Sequence, residues 1–107
     1  MTVIYAMVVE LLAQVSGFDW DDGNARKNNK HSVSAAEAEQ VFFNEPLVVQ
    51  IDNKHSTNEL RVHALGRTNG DRLLHITFTL REEDTLIRVI SARSMHRKER
   101  LIYEQET

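Results

Sequence analysis

The sequence predicts an α+β fold, a single domain whose mostly antiparallel sheet carries helices packed on one face, in the order β-α-α-β-β-β-β-α. Three observations predict it. Ser34 and Glu37 form a capping box that opens a helix in the first half of the chain. Residues 60–67 and 74–81 alternate apolar and polar with period two on either side of a short turn, the mark of an antiparallel pair. Helical patterns fall before and after the strands instead of between them, which separates α+β from α/β.

Each element has its own grounds. Residues 1–15 are the most apolar stretch, but no Lys or Arg precedes Arg26, and Glu10 and Gln14 break the run. It is therefore neither a signal peptide nor a membrane span, and is expected to be an N-terminal extension, helix or loose tail, ahead of a domain over 16–107. Residues 15–20 read as a short strand weakened by Ser16 and Gly17. Asp21 is placed to cap a polar helix over 22–31. The helix opened by Ser34 sets Ala38, Val41 and Phe42 at helical spacing and ends before Pro46. An apolar run at 47–51 has strand length, and 52–58 is a polar loop.

In 60–67, Leu60, Val62 and Ala64 face one way, and Arg61, His63, Leu65 and Arg67 the other. Thr68-Asn69-Gly70-Asp71 predicts a hairpin with Asn-Gly at positive φ. Leu74, Ile76, Phe78 and Leu80 then alternate with His75, Thr77, Thr79 and Arg81. A turn at 82–84 leads to a last strand over 86–92, and Ser94 is expected to cap a final helix ending near Gln105. The face carrying Arg and Thr is left to solvent or to a ligand.

Composition narrows the function. A length of 107 residues holds one modest core. The absence of cysteine excludes disulfides and thiolate metal sites and suits a reduced cytoplasm. The five histidines lack metal-ligand spacing, so no metal and no other cofactor is expected. A net charge of −3 argues against a free-standing nucleic-acid binder. Arginines nevertheless concentrate in the second half, and a local basic face can hold phosphate on an acidic protein.

The sharpest cluster is residues 87–99, with Arg88 in a strand, Arg93 at its exit, and His96, Arg97 and Lys98 at a helix start. Cutting RNA without a metal needs a base for the 2′-hydroxyl, cations for the charged transition state and an acid for the leaving oxygen. His96 and His55 are the acid–base candidates, since imidazole titrates near neutrality. Arg93 and Lys98 flank a helix start, where the dipole gives a cation no benefit, and so point to an anionic ligand. Bland readings stand beside these: Arg88 as an ion-pair partner of Glu99, Arg67 as a solvated hairpin end, His63 as a half-buried histidine, Trp20 as a core anchor.

From Phe18 onward the chain resembles the BrnT family of toxins. The opening signature is Phe18-Asp19-Trp20-Asp21-Asp22-Gly23-Asn24, then Lys27, Lys30-His31 and Val33-Ser34. The middle is Asp52, His55-Ser56, Glu59, Arg61, Gly66-Arg67-Thr68 and Arg72, and the end Phe78-Thr79, Arg81, Arg88, Ile90-Ser91-Ala92-Arg93, Met95-His96, Lys98-Glu99 and Tyr103. The resemblance implies a RelE-like fold and a cytoplasmic, metal-independent endoribonuclease that inhibits translation. It also implies neutralisation by a BrnA-like antitoxin whose ribbon-helix-helix domain carries the hetero-oligomer onto operator DNA, with no membrane involved. Taken with the residue pattern, it makes Arg67, Arg88, Arg93, His96 and Lys98 the catalytic candidates. Lys27, Lys30, His55, Arg61, Arg81 and Tyr103 are the RNA-binding ones. The alternative is an inactive BrnT-like module serving as corepressor with that antitoxin. Two departures stand out: Ser32 where the family has Gly, and Ala35 where it has a larger apolar residue.

Overall fold

The structure is a computed structural model that describes residues 10, 12–29 and 31–106. Its elements are β1 (Gly17–Phe18), α1 (Asp22–Asn29), α2 (Ala35–Val41), β2 (Val48–Ile51), a 3-10 turn (Asn53–His55), β3 (Val62–Arg67), β4 (Leu73–Arg81), β5 (Leu86–Ser94) and α3 (Arg97–Glu104). They form one five-stranded sheet in the order β1-β5-β4-β3-β2. The last four strands are an antiparallel meander, and the short β1 joins β5 in parallel at the far edge. This is the predicted α+β fold.

The predicted alternation sets which face is which. Val62, Ala64, Leu74, Ile76, Phe78, Val89 and Ala92 are fully or almost fully buried on one face. Val33, Ala38 and Val41, from α2 and the segment before it, complete that core. Phe42 meets Phe78 edge-on, with ring centroids 5.1 Å apart, the arrangement aromatic quadrupoles favour. Gly66 lets α2 sit this close, because a Cβ there would lie 2.5 Å from Val41 Cγ1. Leu12 and Val15 pack against the rim of this core. Trp20 does so too and donates its indole N–H to Glu39 at 2.7 Å, as a core anchor with a polar edge.

The helix starts follow local chemistry. Ser34 and Glu37 exchange the two hydrogen bonds of a capping box. Asp21 accepts from the Asn24 N–H at 3.1 Å while Asn24 accepts from the Asp21 N–H at 2.8 Å. The Asn24 amide group also donates to the Val89 carbonyl, which fastens α1 to β5.

Four expectations change. The first strand contracts to Gly17–Phe18. The Asn69-Gly70 turn uses no positive φ at either residue, and Asp71 takes it instead, at 66°. The loop closes by Thr68 N–H to the Arg72 carbonyl and Asp71 N–H to the Thr68 carbonyl, a longer turn than the two-residue hairpin expected. Ser94 ends β5 and does not cap the last helix, because Arg93 and Ser94 stay paired with His75 and Leu74. Glu99 instead accepts the backbone N–H of His96, the N-cap. Finally, α1 and α2 share the core face, while α3 lies over one end of the other face, where Tyr103 packs with Leu65 and Met95. Ser32, standing where the resemblance has Gly, adopts φ of 58°.

Candidate active site

The open face of the sheet is organised as cross-strand rows. Val48, Leu65, His75 and Arg93 stand opposite one another across β2, β3, β4 and β5. Next to them run Gln50, His63, Thr77 and Ser91. Both rows floor a groove of about 600 Å³, which Glu99 and Ile102 of α3 also line. The first row passes from apolar residues at β2 and β3 to a cation at β5, while the second is polar throughout.

A break in register makes this face continuous. Arg88 and Arg93 are an odd number of residues apart and would point to opposite faces of a regular strand. The bulge at Thr77/Phe78 leaves Ile90 without an opposite partner, so Arg88 faces Thr79 while Arg93 faces His75. Thr79 and His75 are four apart on β4, which puts both arginines on the open side about 13 Å from each other.

At the β5 end, Arg93 is held end-on by Glu99, with Nη1 donating to Oε1 at 2.8 Å and Nη2 to Oε2 at 2.9 Å. The outer Nη1 hydrogen goes to the Ser94 carbonyl at 3.1 Å. A guanidinium has five N–H donors, so Nε–H and the outer Nη2–H remain, side by side, in the spacing that suits two oxygens of one phosphate. Hydrogen bonds from Arg93, and then from the His96 backbone, hold the Glu99 carboxyl at about 2 although its burial pushes the other way. Burial first, then the charge of Arg93, push His75 from 6.5 down to about 4, the carboxylate of Glu99 opposing only in part. His75 is consequently a neutral imidazole at neutral pH, with Nε2 3.8 Å from Glu99 Oε2.

A second polar chain starts from the same rows. The His63 and His75 rings are 5.0 Å apart. His63 Nε2 lies 3.0 Å from Asp52 Oδ2, and its Nδ1 lies 2.9 Å from the Thr77 hydroxyl. The same Asp52 oxygen lies 2.9 Å from His55 Nδ1. Burial raises the Asp52 carboxyl, but the hydrogen bonds and charge of His55, with His63 behind, hold it below its ordinary value. An ionised carboxylate only accepts, so both ring nitrogens donate to it. His55 thereby keeps Nε2 turned outward without a hydrogen-bond partner among the described residues, on a half-exposed side chain.

Among the eleven sequence candidates, only Arg93 lines the groove. His55 joins it through Asp52 and His63. Arg61, just before β3 and beside the His55 loop, donates its backbone N–H to the Ser56 hydroxyl at 3.0 Å, and its Nε is buried without a hydrogen bond. Arg88 pairs with Asp19 at 3.4 Å and Asp21 at 3.0 Å, not with Glu99 as the bland reading had it. Lys27 borders a shallow notch of about 200 Å³ beside Arg88. Arg67 is at the opposite end of the face, bonded to Asp71 and to the Glu45 carbonyl. Arg81 is taken by Glu59. Tyr103 is buried and donates to the Pro46 carbonyl, a packing role. His96 and Lys98 are exposed on α3 and do not border the groove. Lys30 lies outside the described residues.

The site residues that sequence reasoning passed over are His75, Asp52, Thr77 and Gln50. Alternation had already set His75 and Thr77 on the open side. What it lacked was the strand register, which alone puts His75 opposite Arg93. Among the described residues, no three His, Asp or Glu side chains gather as a metal ion would require. No helix among them is long and apolar enough to cross a membrane.

Comparison with known families gives one result. The family model described as ribonuclease toxin, BrnT, of type II toxin-antitoxin system matches residues 20–99, most of the chain and all of the groove's floor. No curated protein matches.

Proposed function

The chain belongs to the BrnT family of ribonuclease toxins of type II toxin–antitoxin systems, and on that premise we propose that RNA lies along the open face and is cut at Arg93 without a metal ion. The family's place in such systems gives the chain an antitoxin partner and an RNA target. The observation that carries the site is the free side-on fork of Arg93 directly across from a neutral His75.

In this reading the Arg93 fork binds two non-bridging oxygens of the scissile phosphate and stabilises the charge that grows on them. His75 acts through Nε2, since its Nδ1 is buried without a partner, and takes the 2′-hydroxyl proton as that oxygen attacks phosphorus and the bond to the 5′ oxygen breaks. Glu99, 3.8 Å from Nε2, offsets the charge of the imidazolium that forms, and it fixes Arg93 at the same time. The departing oxygen is protonated by water, which reaches the open groove. His63, bonded at both ring nitrogens, orients Asp52 and gives up no proton. His55, with Arg61 nearby, contacts the RNA backbone further along the face. The partner is a BrnA-like antitoxin with a ribbon-helix-helix domain, the complex binds operator DNA through it, and the setting is cytoplasmic. Residues 16–107 are the toxin domain and the residues before them an extension.

Purified protein incubated with RNA in excess chelator tests this. The expected result is cleavage leaving a 2′,3′-cyclic phosphate and a 5′-hydroxyl, lost in Arg93→Ala and in His75→Gln. Cleavage abolished by chelator and restored by a divalent ion would overturn the metal-independent chemistry. A folded protein that binds antitoxin and cuts no RNA would identify a corepressor instead.

A further inference from the structure

We infer that the β2 end of the groove is a nucleobase subsite in which the Gln50 side-chain amide reads the edge of one RNA base. The inference rests on the reading of the groove as the RNA site and adds the origin of its sequence preference.

Two observations support it. The first is the gradient along one row: Arg93 and His75 stand at one end, and Val48 and Leu65 at the other. Three strand spacings separate β5 from β2, about 14 Å. A nucleotide has the same polarity over a comparable length, with charge at the phosphate and an apolar, flat base at the far end. With the phosphate on Arg93, the base falls over β3 and β2.

The second observation is what waits there. Ile102 of α3 is half exposed and lines the groove together with Val48 and Leu65. It offers a contact for a base face opposite Leu65. Gln50 is directly across from His63 on β2, exposed, and its amide bonds to no other described residue. A carboxamide presents one acceptor and two donors, so it can exchange two hydrogen bonds with a base that has a donor beside an acceptor, such as adenine. His63 cannot do this, since both ring nitrogens are engaged. Single-stranded RNA is read in this way, with bases splayed out onto side chains and recognised at their edges.

The test uses uncleavable probes: 2′-deoxy dinucleotides carrying each of the four bases, titrated into the full chain, with Kd and amide chemical shifts as readouts. The wild type is expected to prefer one base by about tenfold, the discrimination of one two-bond contact. Gln50→Ala is expected to level the four affinities. Ile102→Ala should weaken all four by a few fold and keep their order. Arg93→Ala should likewise weaken all four and keep the order, because it removes only the phosphate contact. Two results overturn the subsite while leaving the groove as the RNA site: equal affinities in the wild type, or an unchanged order in Gln50→Ala. Dinucleotides that shift no groove amide in any variant overturn both readings together.

Discussion

Glu99 grips Arg93 at two points, Oε1 to Nη1 at 2.8 Å and Oε2 to Nη2 at 2.9 Å, while the same Oε1 accepts the backbone N–H of His96 at 2.8 Å. One carboxylate thus fixes the cation on β5 and starts α3. Glu99→Ala removes charge-assisted hydrogen bonds and a helix cap together, and is expected to cost roughly 2 kcal/mol of stability. Because the folded carboxyl titrates at about 2, below its ordinary 4.5, this contribution is complete above 4.5 and disappears as pH falls toward 2. Chemical denaturation at pH 7 and pH 3 checks it: the gap between wild type and Glu99→Gln should narrow at the lower pH.

His75 titrates in a separate window. Its folded value of about 4 lies below the 6.5 of the unfolded chain, so between these the unfolded state binds the proton first. Stability is therefore full above 6.5 and declines as pH falls from 6.5 to 4. His75→Gln should remove that slope and leave the one below 4.5 that belongs to Glu99. If His75 is the base, the same substitution lowers cleavage by about 10²–10⁴. Nuclear magnetic resonance of the imidazole checks the premise directly: a ring already protonated at pH 6 would contradict a neutral base.

The fold was legible where a pattern is local. The Ser34–Glu37 box and the alternation of 60–67 and 74–81 fixed a helix start and two strand faces, because capping and side-chain period depend only on near neighbours. The candidate site was legible at Arg93 and, beside the groove, at His55. His75, Asp52 and Gln50 owe their place to register across three strand pairs, and sequence period says which face a residue takes but not whom it meets. The bulge at Ile90 is invisible for the same reason, and without it Arg88 and Arg93 would be read onto opposite faces. The helix start that made His96 and Lys98 attractive moved when β5 ran on to Ser94, which left both on the outside of α3.

Arg88 and Arg93 now make different predictions, although the sequence treated them alike. Arg88 is held by Asp19 and Asp21, where hydrogen bonds from Asn24 and Arg88 keep the Asp21 carboxyl below its ordinary value. It ties the segment after β1 to the sheet. Arg93 keeps a free fork toward the groove. Arg93→Lys retains the charge and loses the planar fork, so cleavage should fall by about 10²-fold or more with little change in melting temperature. Arg88→Ala should show the reverse weighting, a lower melting temperature with a far smaller loss of cleavage per folded molecule. Single-turnover cleavage and thermal unfolding on the same preparations separate the two. Equal catalytic losses would return Arg88 to the chemical centre.

Ser32 carries a cost that its neighbours hold in place. Its φ of 58° lies in the left-handed region, where a Cβ crowds the following carbonyl by about 1–2 kcal/mol. The conformation is kept because it points the Ser32 carbonyl at Arg72 Nη1, 2.7 Å away, and Arg72 also reaches Glu37 and Ser94. That bond joins the α1–α2 connection to the start of β4 and so sets where α2 covers the sheet. Glycine adopts the angle without the clash but gives the unfolded chain more freedom, which returns part of the gain. Ser32→Gly should therefore stabilise the fold by about 0.5–1 kcal/mol, seen as a higher urea midpoint at unchanged slope. Ser32→Ala keeps the Cβ and should gain nothing. If both variants shifted the midpoint equally, the serine hydroxyl and not the backbone angle would be the source of the difference.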